Sequence, residues 1–447
     1  MKTEIFNSLE YIIDLTKKQN AHADVICTTA SNLNLKSDKG IIEEYKVSSG
    51  QVFGIRVIKD NKVGLSYCES SDQEALSMMI DQAINNSKIV KEDQFAKIEV
   101  EINNPLIDEN SHNCQEDNST IKEKIEKSIY LEQKVLEKSK DVKSAPYNSV
   151  NESSSSFYLM NTLGTKCFSK DKSFSCYTSA LIDKNNKQSM HYDLSIARKF
   201  HELDFDKCID QSFEHANALL DAGPIKTGNY DVIFTPNCLK DLFSIFSSVF
   251  SGKAAMENKN ALKEKLGQKI AHSGLTIKDL PQFKQAFAVD LFDSEGNMHQ
   301  ETTLVQDGVL NTFYHNSITS KYFNTSNTFN AGRSPKRNLG VTGTNTVIQP
   351  GTEPNKAIES SSYFEVLSMQ GGHSGADPIS GDFSFGASGY LYIDGTNTCP
   401  VKGVTISGNF FKLLEEIKMI GDKLNTDDTK SFFAPTILFS NLSIAGS

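Results

Sequence analysis

A glycine-rich segment from Gly371 to Gly395 carries the residue types that most readily suggest chemistry. It reads GGHSGADPISGDFSFGASGYLYIDG, and its first half places His373, Ser374 and Asp382 on a loop. These are the residue types of a hydrolytic triad, but neighbouring side chains point in different directions and known triads are assembled from distant segments. We therefore expect Asp382 to accept backbone N–H groups of its neighbours, and we interpret the segment as a binding loop.

Cysteine is a second residue type that supports nucleophilic chemistry. The eight cysteines include no pair at the two-residue spacing of a zinc knuckle or a redox motif, which favours reduced thiols. Cys399 is expected in a turn before Pro400, and as a nucleophile it would need a nearby base. A buried or half-buried thiol is the favoured interpretation, and a self-contained hydrolase that uses His373 or Cys399 stays open as an alternative.

The loop leads into a segment with a strict two-residue period. Phe383, Phe385, Ala387, Leu391 and Ile393 alternate with small or polar residues. Because successive side chains of a strand point to opposite sides, this pattern predicts a strand with one apolar face.

The rest of the chain mixes helices with hairpins. Apolar residues at helical spacing predict an opening helix, and segments 23–29 and 41–70 read as an antiparallel meander. Thr120 and Glu123 have the spacing of a capping box, which predicts the start of another helix. Residues from 286 onward are mostly β in pattern, with one late helix expected over residues 411–420.

These patterns predict an α+β fold in two domains. The first, residues 1–222, holds helices and an antiparallel sheet, with a soft internal boundary in the polar, acidic residues 97–118. The second, residues 223–447, is expected to be a mainly antiparallel β domain with a barrel-like shape.

Composition restricts the class of protein. The 447 residues carry a net charge of −10 and the lysines form no stripe, so we expect no direct nucleic-acid partner. No apolar run approaches the roughly 20 residues of a membrane span, and the N-terminus has no apolar signal core. We therefore expect a cytoplasmic protein with no membrane partner.

Four motifs together resemble one known family. They are TGNYDVIFTP at residues 227–236, FDSEG at 292–296, HSGADPISGDFSFGASGY at 373–390, and VTISGN at 404–409 followed by MIG. In this order they resemble the TldD/PmbA family, formerly called modulators of DNA gyrase and regarded as cytoplasmic zinc metallopeptidases. The resemblance covers most of the chain.

The resemblance also implies a division of work between two subunits. In that family the TldD type carries a His-Glu-x-x-x-His helix and a later cysteine for zinc, and the PmbA (TldE) type lacks them. Here the corresponding helix reads LFSIFSSVFSGKAAMEN at residues 242–258, and the late segment 419–436 contains no cysteine. The resemblance therefore implies a PmbA/TldE-type subunit with no catalytic residue, metal site or cofactor of its own, and with zinc in a TldD-type partner.

We expect this subunit to help enclose a chamber for unfolded peptides. The loop would then face the peptide or the partner, which makes Gly372, His373, Ser374, Asp382 and Ser384 candidate contacts. A homodimer when the chain is alone and a non-enzymatic scaffold both stay open. Only the old family name suggests a modulator of gyrase or DNA.

Overall fold

The N-terminal half of the chain is a layer of helices on a sheet. The computed structural model describes residues 2–99, 106–107 and 112–447. The helices of this half are α1 (Lys2–Lys18), α2 (Gln73–Lys88), α3 (Ile121–Glu137) and α4 (Phe205–Ala218). Its strands are β1 (His22–Asp38), β2 (Ile41–Lys59), β3 (Lys62–Cys68), β4 (Leu106–Ile107), β5 (Val142–Ser144), β6 (Ser149–Asn161), β7 (Lys166–Lys184) and β8 (Lys187–Ala197). The predicted opening helix, meander and capping box are confirmed: Thr120 accepts the N–H of Glu123, whose carboxylate accepts the N–H of Thr120.

The sheet of this half runs in the order β3-β2-β1-β6-β7, with β4, β5 and β8 also joined to β7. Its two faces have different neighbours because the side chains of each strand alternate. Odd-numbered residues of β1 pack under the helices, with Val25 in the core below α1 and α2 and Leu35 in the core below α3 and α4. Even-numbered residues such as Ile26 contact the C-terminal half through Phe292.

The C-terminal half is dominated by strands. Its helices are α5 (Pro236–Ile245), α6 (Gly252–Met256), α7 (Ser317–Phe323), α8 (Asn355–Glu359) and α9 (Phe410–Glu415). Its strands are β9 (Gly228–Phe234), β10 (Ile277–Asp279), β11 (Thr302–Gln306), β12 (Val309–Leu310), β13 (Ala331–Gly332), β14 (Gly340–Val341), β15 (Thr346–Ile348), β16 (Tyr363–Gln370), β17 (Asp382–Ile393), β18 (Thr396–Asn409), β19 (Ile417–Thr426) and β20 (Phe432–Ala445). No helix in the described part of the chain is both long and apolar enough to cross a membrane.

The main C-terminal sheet closes on itself. Strand β20 pairs with both β18 and β9, so that β20, β18, β17, β16 and β9 form a ring. The β9–β16 and β15–β20 pairings are parallel, and the sheet is therefore mixed. Phe383 and Phe385 of β17 are buried in its core, as their alternation predicts. The α+β fold class is confirmed, and the expected barrel-like shape takes the form of this ring.

Three local expectations are wrong. The late helix ends at Glu415, and residues 417–426 form β19 because their apolar residues, including Ile420, pair with β20. Cys399 lies inside β18 opposite Leu391 and not in a turn. Ile393 is 48% exposed because β17 has passed the core and enters the turn at Asp394.

The expected domain limits stay predictions. The last helix of the N-terminal half, α4, ends at Ala218, and the first strand of the C-terminal half, β9, begins at Gly228. The soft boundary at residues 97–118 falls partly outside the described residues, since residues 100–105 and 108–111 are not among them.

A buried ionic cluster joins the two halves. Asp24 of β1 accepts a hydrogen bond from Nε of Arg56 on β2 at 2.7 Å and lies 2.6 Å from Nη1 of Arg333. Glu295 approaches Nη2 of Arg56 at 3.7 Å, and all four side chains are between 1% and 3% exposed. Burial raises the pKa of Glu295 and lowers that of Arg333 to about 10. Removal of any one partner would leave an uncompensated buried charge.

The FDSEG motif is the turn that delivers Glu295 to this cluster. Oδ1 of Asp293 accepts the N–H groups of Glu295 at 2.9 Å and Asn297 at 3.0 Å, which fixes the turn. Gly296 has a positive φ of 87°, and a Cβ there would lie 2.5 Å from Cγ2 of Thr165 in the N-terminal half. The FDSEG motif therefore packs the C-terminal half against the N-terminal half.

Candidate functional site

The candidate site is a cleft of about 210 Å³ in the C-terminal half. Five segments that are distant in sequence converge on it: α5 with the turn that follows, β10, β11, residues 314–346, and the start of β20 with the residue before it. The residues that line it are Lys240, Phe243, Ser244, Ser247, Phe250, Ile277, Leu304, Tyr314, Gly343, Thr344, Thr346, Ser431 and Phe432. The lining thus combines aromatic rings and hydroxyl groups with a single lysine.

The sequence of α5 explains why hydroxyl groups face the cleft. Pro236 occupies the first turn, where a missing N–H has no cost, and the helix then runs to Ile245. Phe246 is fully buried and stacks on Phe410 with ring centroids 4.6 Å apart. Because the apolar residues turn inward at helical spacing, Ser244 and Ser247 stay exposed on the other side.

The loop between β19 and β20 forms the opposite wall and depends on Asp427. Its buried carboxylate accepts the N–H groups of Thr429, Ser431 and Phe432, each at 2.8 Å, and Nζ of Lys240 at 2.8 Å. Burial would raise the pKa of Asp427, but the hydrogen bonds from Lys240, Thr429 and the backbone outweigh it and lower the pKa. Asp427 is therefore an ionised structural group whose acceptor sites are occupied.

Tyr314 supplies a hydroxyl group from the segment of residues 314–346. Burial raises its pKa well above the usual value, so the hydroxyl stays protonated at neutral pH. A Cβ at Gly343 would lie 2.4 Å from this hydroxyl, so only glycine fits beside it. The cleft can accordingly donate and accept hydrogen bonds and can hold apolar groups against its rings.

The residues present do not fit zinc. Protein zinc sites use cysteine sulfur, histidine nitrogen or carboxylate oxygen, and the described residues that line the cleft include none of these groups. Nor does the described part of the chain bring three or more His, Cys, Asp or Glu residues together at a spacing that would hold a metal ion. We assign no chemical step in this cleft to a metal held by this chain.

The candidate contact residues do not line the cleft. His373 and Ser374 are exposed on the loop between β16 and β17, and a Cβ at Gly372 would lie 3.1 Å from Cδ1 of Ile245 at the end of α5. The loop therefore borders the helix that lines the cleft. None of Gly372, His373, Ser374, Asp382 and Ser384 is among the lining residues.

The hydrogen bonds of these residues are structural. Asp382 accepts Nδ2 of Asn409 at 2.8 Å, and this bond lowers its pKa. Ser384 shares a hydrogen bond with Ser407 across β17 and β18 at 3.0 Å. Among the described residues, His373 forms no hydrogen bond with Ser374 or Asp382, so the three are not connected as a triad.

Cys399 lies far from the loop. Asp382 pairs with Asn409 at one end of the β17–β18 hairpin, whereas Leu391 pairs with Cys399 towards the other. Nine residues of strand separate the two pairs, or about 30 Å. His373 and Cys399 therefore do not share one site.

Sequence reasoning missed the cleft because no single segment contains it. The usable signal is the side of the phenylalanine-rich helix that carries Ser244 and Ser247. The role of Asp427 had a weaker signal, the Asp-Asp-Thr turn before β20.

Fold and motifs agree with one family. Three family models match the chain in order: PmbA/TldA metallopeptidase domain 1 at residues 23–87, the central domain at 115–220 and the C-terminal domain at 227–446. The chain belongs to the PmbA/TldD metallopeptidase family.

Individual relatives match over nearly the whole chain. It is 22% identical to a metalloprotease PmbA homolog of Buchnera aphidicola from Acyrthosiphon pisum, over 99% of this chain and 97% of that protein. A candidate modulator of a DNA gyrase from Thermotoga maritima has the same fold, with a TM-score of 0.86, 23% identity, and coverage of 99% of this chain and 100% of that one. TldE from Thermococcus kodakarensis gives a TM-score of 0.81 and 21% identity over 98% of this chain and 100% of that one.

Proposed function

We propose that the chain is the PmbA/TldE-type subunit of a cytoplasmic, heterodimeric zinc metallopeptidase that cleaves unfolded peptides. The lining of the cleft carries the proposal. Ser244, Ser247 and Phe243 occupy the helix where the resemblance expects the zinc ligands of a TldD-type subunit. Ser431 and Phe432 occupy the late segment where it expects the cysteine. Zinc and the general base would then come from the partner.

The chain's own work would be to hold the peptide. Exposed backbone N–H and C=O groups bind an extended peptide with little sequence preference, because every peptide has the same backbone. The rings of Phe243, Phe250 and Phe432 would accept an apolar side chain in the cleft, and the hydroxyl groups would bind the peptide backbone beside it. The loop with Gly372, His373, Ser374, Asp382 and Ser384 would contact the same peptide or the partner.

The test measures zinc content and cleavage of an unfolded, fluorescently labelled polypeptide. The samples are the chain alone, a TldD-type subunit from the same source alone, and their mixture. We expect neither stoichiometric zinc nor cleavage from the chain alone and cleavage from the mixture. Zinc binding and cleavage by the chain alone would refute the proposal. A mixture no more active than the TldD-type subunit alone would also contradict it and would favour the alternative that this chain is a non-enzymatic scaffold.

A matched pair of variants tests the cleft. Ser247→Phe fills part of it, and we expect lower activity of the mixture with an unchanged association of the two subunits. Ser71→Phe places the same side chain on an exposed position before α2 and should change neither quantity. Equal activity of the two variants would mean that the cleft does not receive the peptide.

A further inference from the structure

The outer part of β2 is a free strand edge. Residues 41–52 pair with β1 on one side, but β3 pairs only with residues 53–59 on the other. No strand in the described ranges covers the remaining edge of residues 41–52, which presents backbone N–H and C=O groups to solvent. Such an edge is a template for another strand, and its chemistry selects an extended polypeptide.

Large apolar side chains lie along the same edge. Ile41, Tyr45 and Val47 are 67%, 52% and 62% exposed. A register shift beside Glu43 turns Ile41 to the opposite face, and Tyr45 and Val47 share one face of the strand. On this face Tyr45 and Val47 are the cross-strand neighbours of the buried Leu35 and Leu33 of β1. The apolar surface below the helices thus continues to the edge and stops there uncovered.

We propose that a second copy of this chain covers the edge by pairing its own β2 antiparallel to the first, centred on Tyr45. In this register the two Tyr45 rings lie opposite each other. Glu44 of each copy faces Lys46 of the other, so the pairing forms two identical ion pairs. Neither Glu44 nor Lys46 has a salt bridge to another described residue, so both are available for this pairing.

The charge pattern selects this register among its neighbours. A twofold axis perpendicular to the sheet keeps the same face of both copies on the same side. Residues opposite each other must therefore both have even numbers or both have odd numbers, and the register changes only when the centre moves to another residue. Moving the centre to position 46 would place Lys46 opposite Lys46, and moving it to position 44 would place Glu44 opposite Glu44. Like charges directly opposite each other destabilise a strand pair. A peptide of unrelated sequence would not have this complementarity, which is why a second copy is the favoured occupant.

Charge reversal tests the proposed contact. We expect the wild-type chain to be a dimer by sedimentation velocity and light scattering at micromolar concentration. Glu44→Lys or Lys46→Glu alone puts like charges opposite each other twice, and each should raise the dimer dissociation constant about tenfold or more. The double variant Glu44→Lys/Lys46→Glu reverses both charges of each pair and should restore the wild-type dissociation constant. Glu44 and Lys46 are both exposed in the monomer, so folding is expected to be unaffected.

Cross-linking tests the register. With Tyr45 at the centre, the two Cβ atoms at position 45 lie about 5 Å apart, close to the span of a disulfide. Tyr45→Cys should therefore form a covalent dimer on mild oxidation. Val47→Cys is the matched control and should not cross-link. In this register position 47 of one copy lies four residues along the strand from position 47 of the other, about 13 Å away. The wild-type chain under the same oxidation gives the background of its native cysteines.

Three results would overturn the inference. They are a monomeric wild-type chain, a dimer that is insensitive to both single reversals, and a β2 edge that pairs only with a different subunit. The proposed peptidase role does not depend on this contact, since activity with a TldD-type partner is measured separately.

Discussion

Replacement of Arg56 by methionine should strongly destabilise the contact between the two halves of the chain. The guanidinium group is 1% exposed, donates to Asp24 at 2.7 Å and lies 3.7 Å from Glu295. Methionine keeps much of the volume but leaves two carboxylates buried with Arg333 as their remaining cation. Loss of one partner of a buried ion pair costs about 3–5 kcal/mol, which corresponds to an increase of about two to four orders of magnitude in the population of opened molecules.

Lys36→Met provides the control on the same hairpin. Nζ of Lys36 lies 2.7 Å from the Glu43 carboxylate, but the two side chains are 35% and 51% exposed. An exposed pair of this kind contributes about 0–1 kcal/mol, so the control should be close to wild type.

Native-state hydrogen exchange followed by mass spectrometry is the appropriate assay, because a chain of this size need not unfold in one step. We expect Arg56→Met to accelerate exchange in β1, β2 and the turn 292–296 together, since the cluster connects all three. Equal exchange in the Arg56→Met and Lys36→Met variants would refute the view that this cluster holds the halves together. Faster exchange confined to β2 would refute it as well.

Two further predictions concern packing and pH. Gly54→Ala places a Cβ 2.1 Å from the carbonyl oxygen of Pro335 and should lower the unfolding free energy by about 1–3 kcal/mol. Gly50→Ala is the control, because its Cβ would have nothing within 4 Å and the unfolding free energy should not change. Urea unfolding of the two variants compares these free energies. Burial lowers the pKa of His299 from 6.5 to about 4, so the unfolded chain binds the proton first and stability is lost as pH falls from 6.5 towards 4. His299→Phe should reduce this loss in thermal unfolding at pH 7 and pH 5, and an unchanged pH dependence would contradict the assignment.

Local patterns made much of the fold predictable. The two-residue period around Phe383 and the capping box at Thr120 each depend on a few adjacent residues, and both are present in the structure. Ile417 and Ile420 show the limit of this reasoning, because a spacing of three fits a helix, whereas these residues lie in a strand that contains a register shift. Only the pairing with β20 decides between the two, and a local pattern does not contain it.

The candidate site was much less predictable than the fold. Lys240, Ser247, Tyr314 and Ser431 meet in one cleft although they lie on segments far apart in the chain. None has a residue type or spacing that points to the others. The Gly371–Gly395 segment is easy to identify because its residues are adjacent in sequence, and its loop borders α5, the helix that lines the cleft.

The buried cluster has a consequence for how the sequence can change over time. Asp24, Arg56, Glu295 and Arg333 are spread over most of the chain, yet a charge lost at one position must be balanced at another. Substitutions at these positions are therefore expected to occur together in related sequences. Chimaeras that join the N-terminal half of one relative to the C-terminal half of another should fold only when both parents carry a matching set of charges.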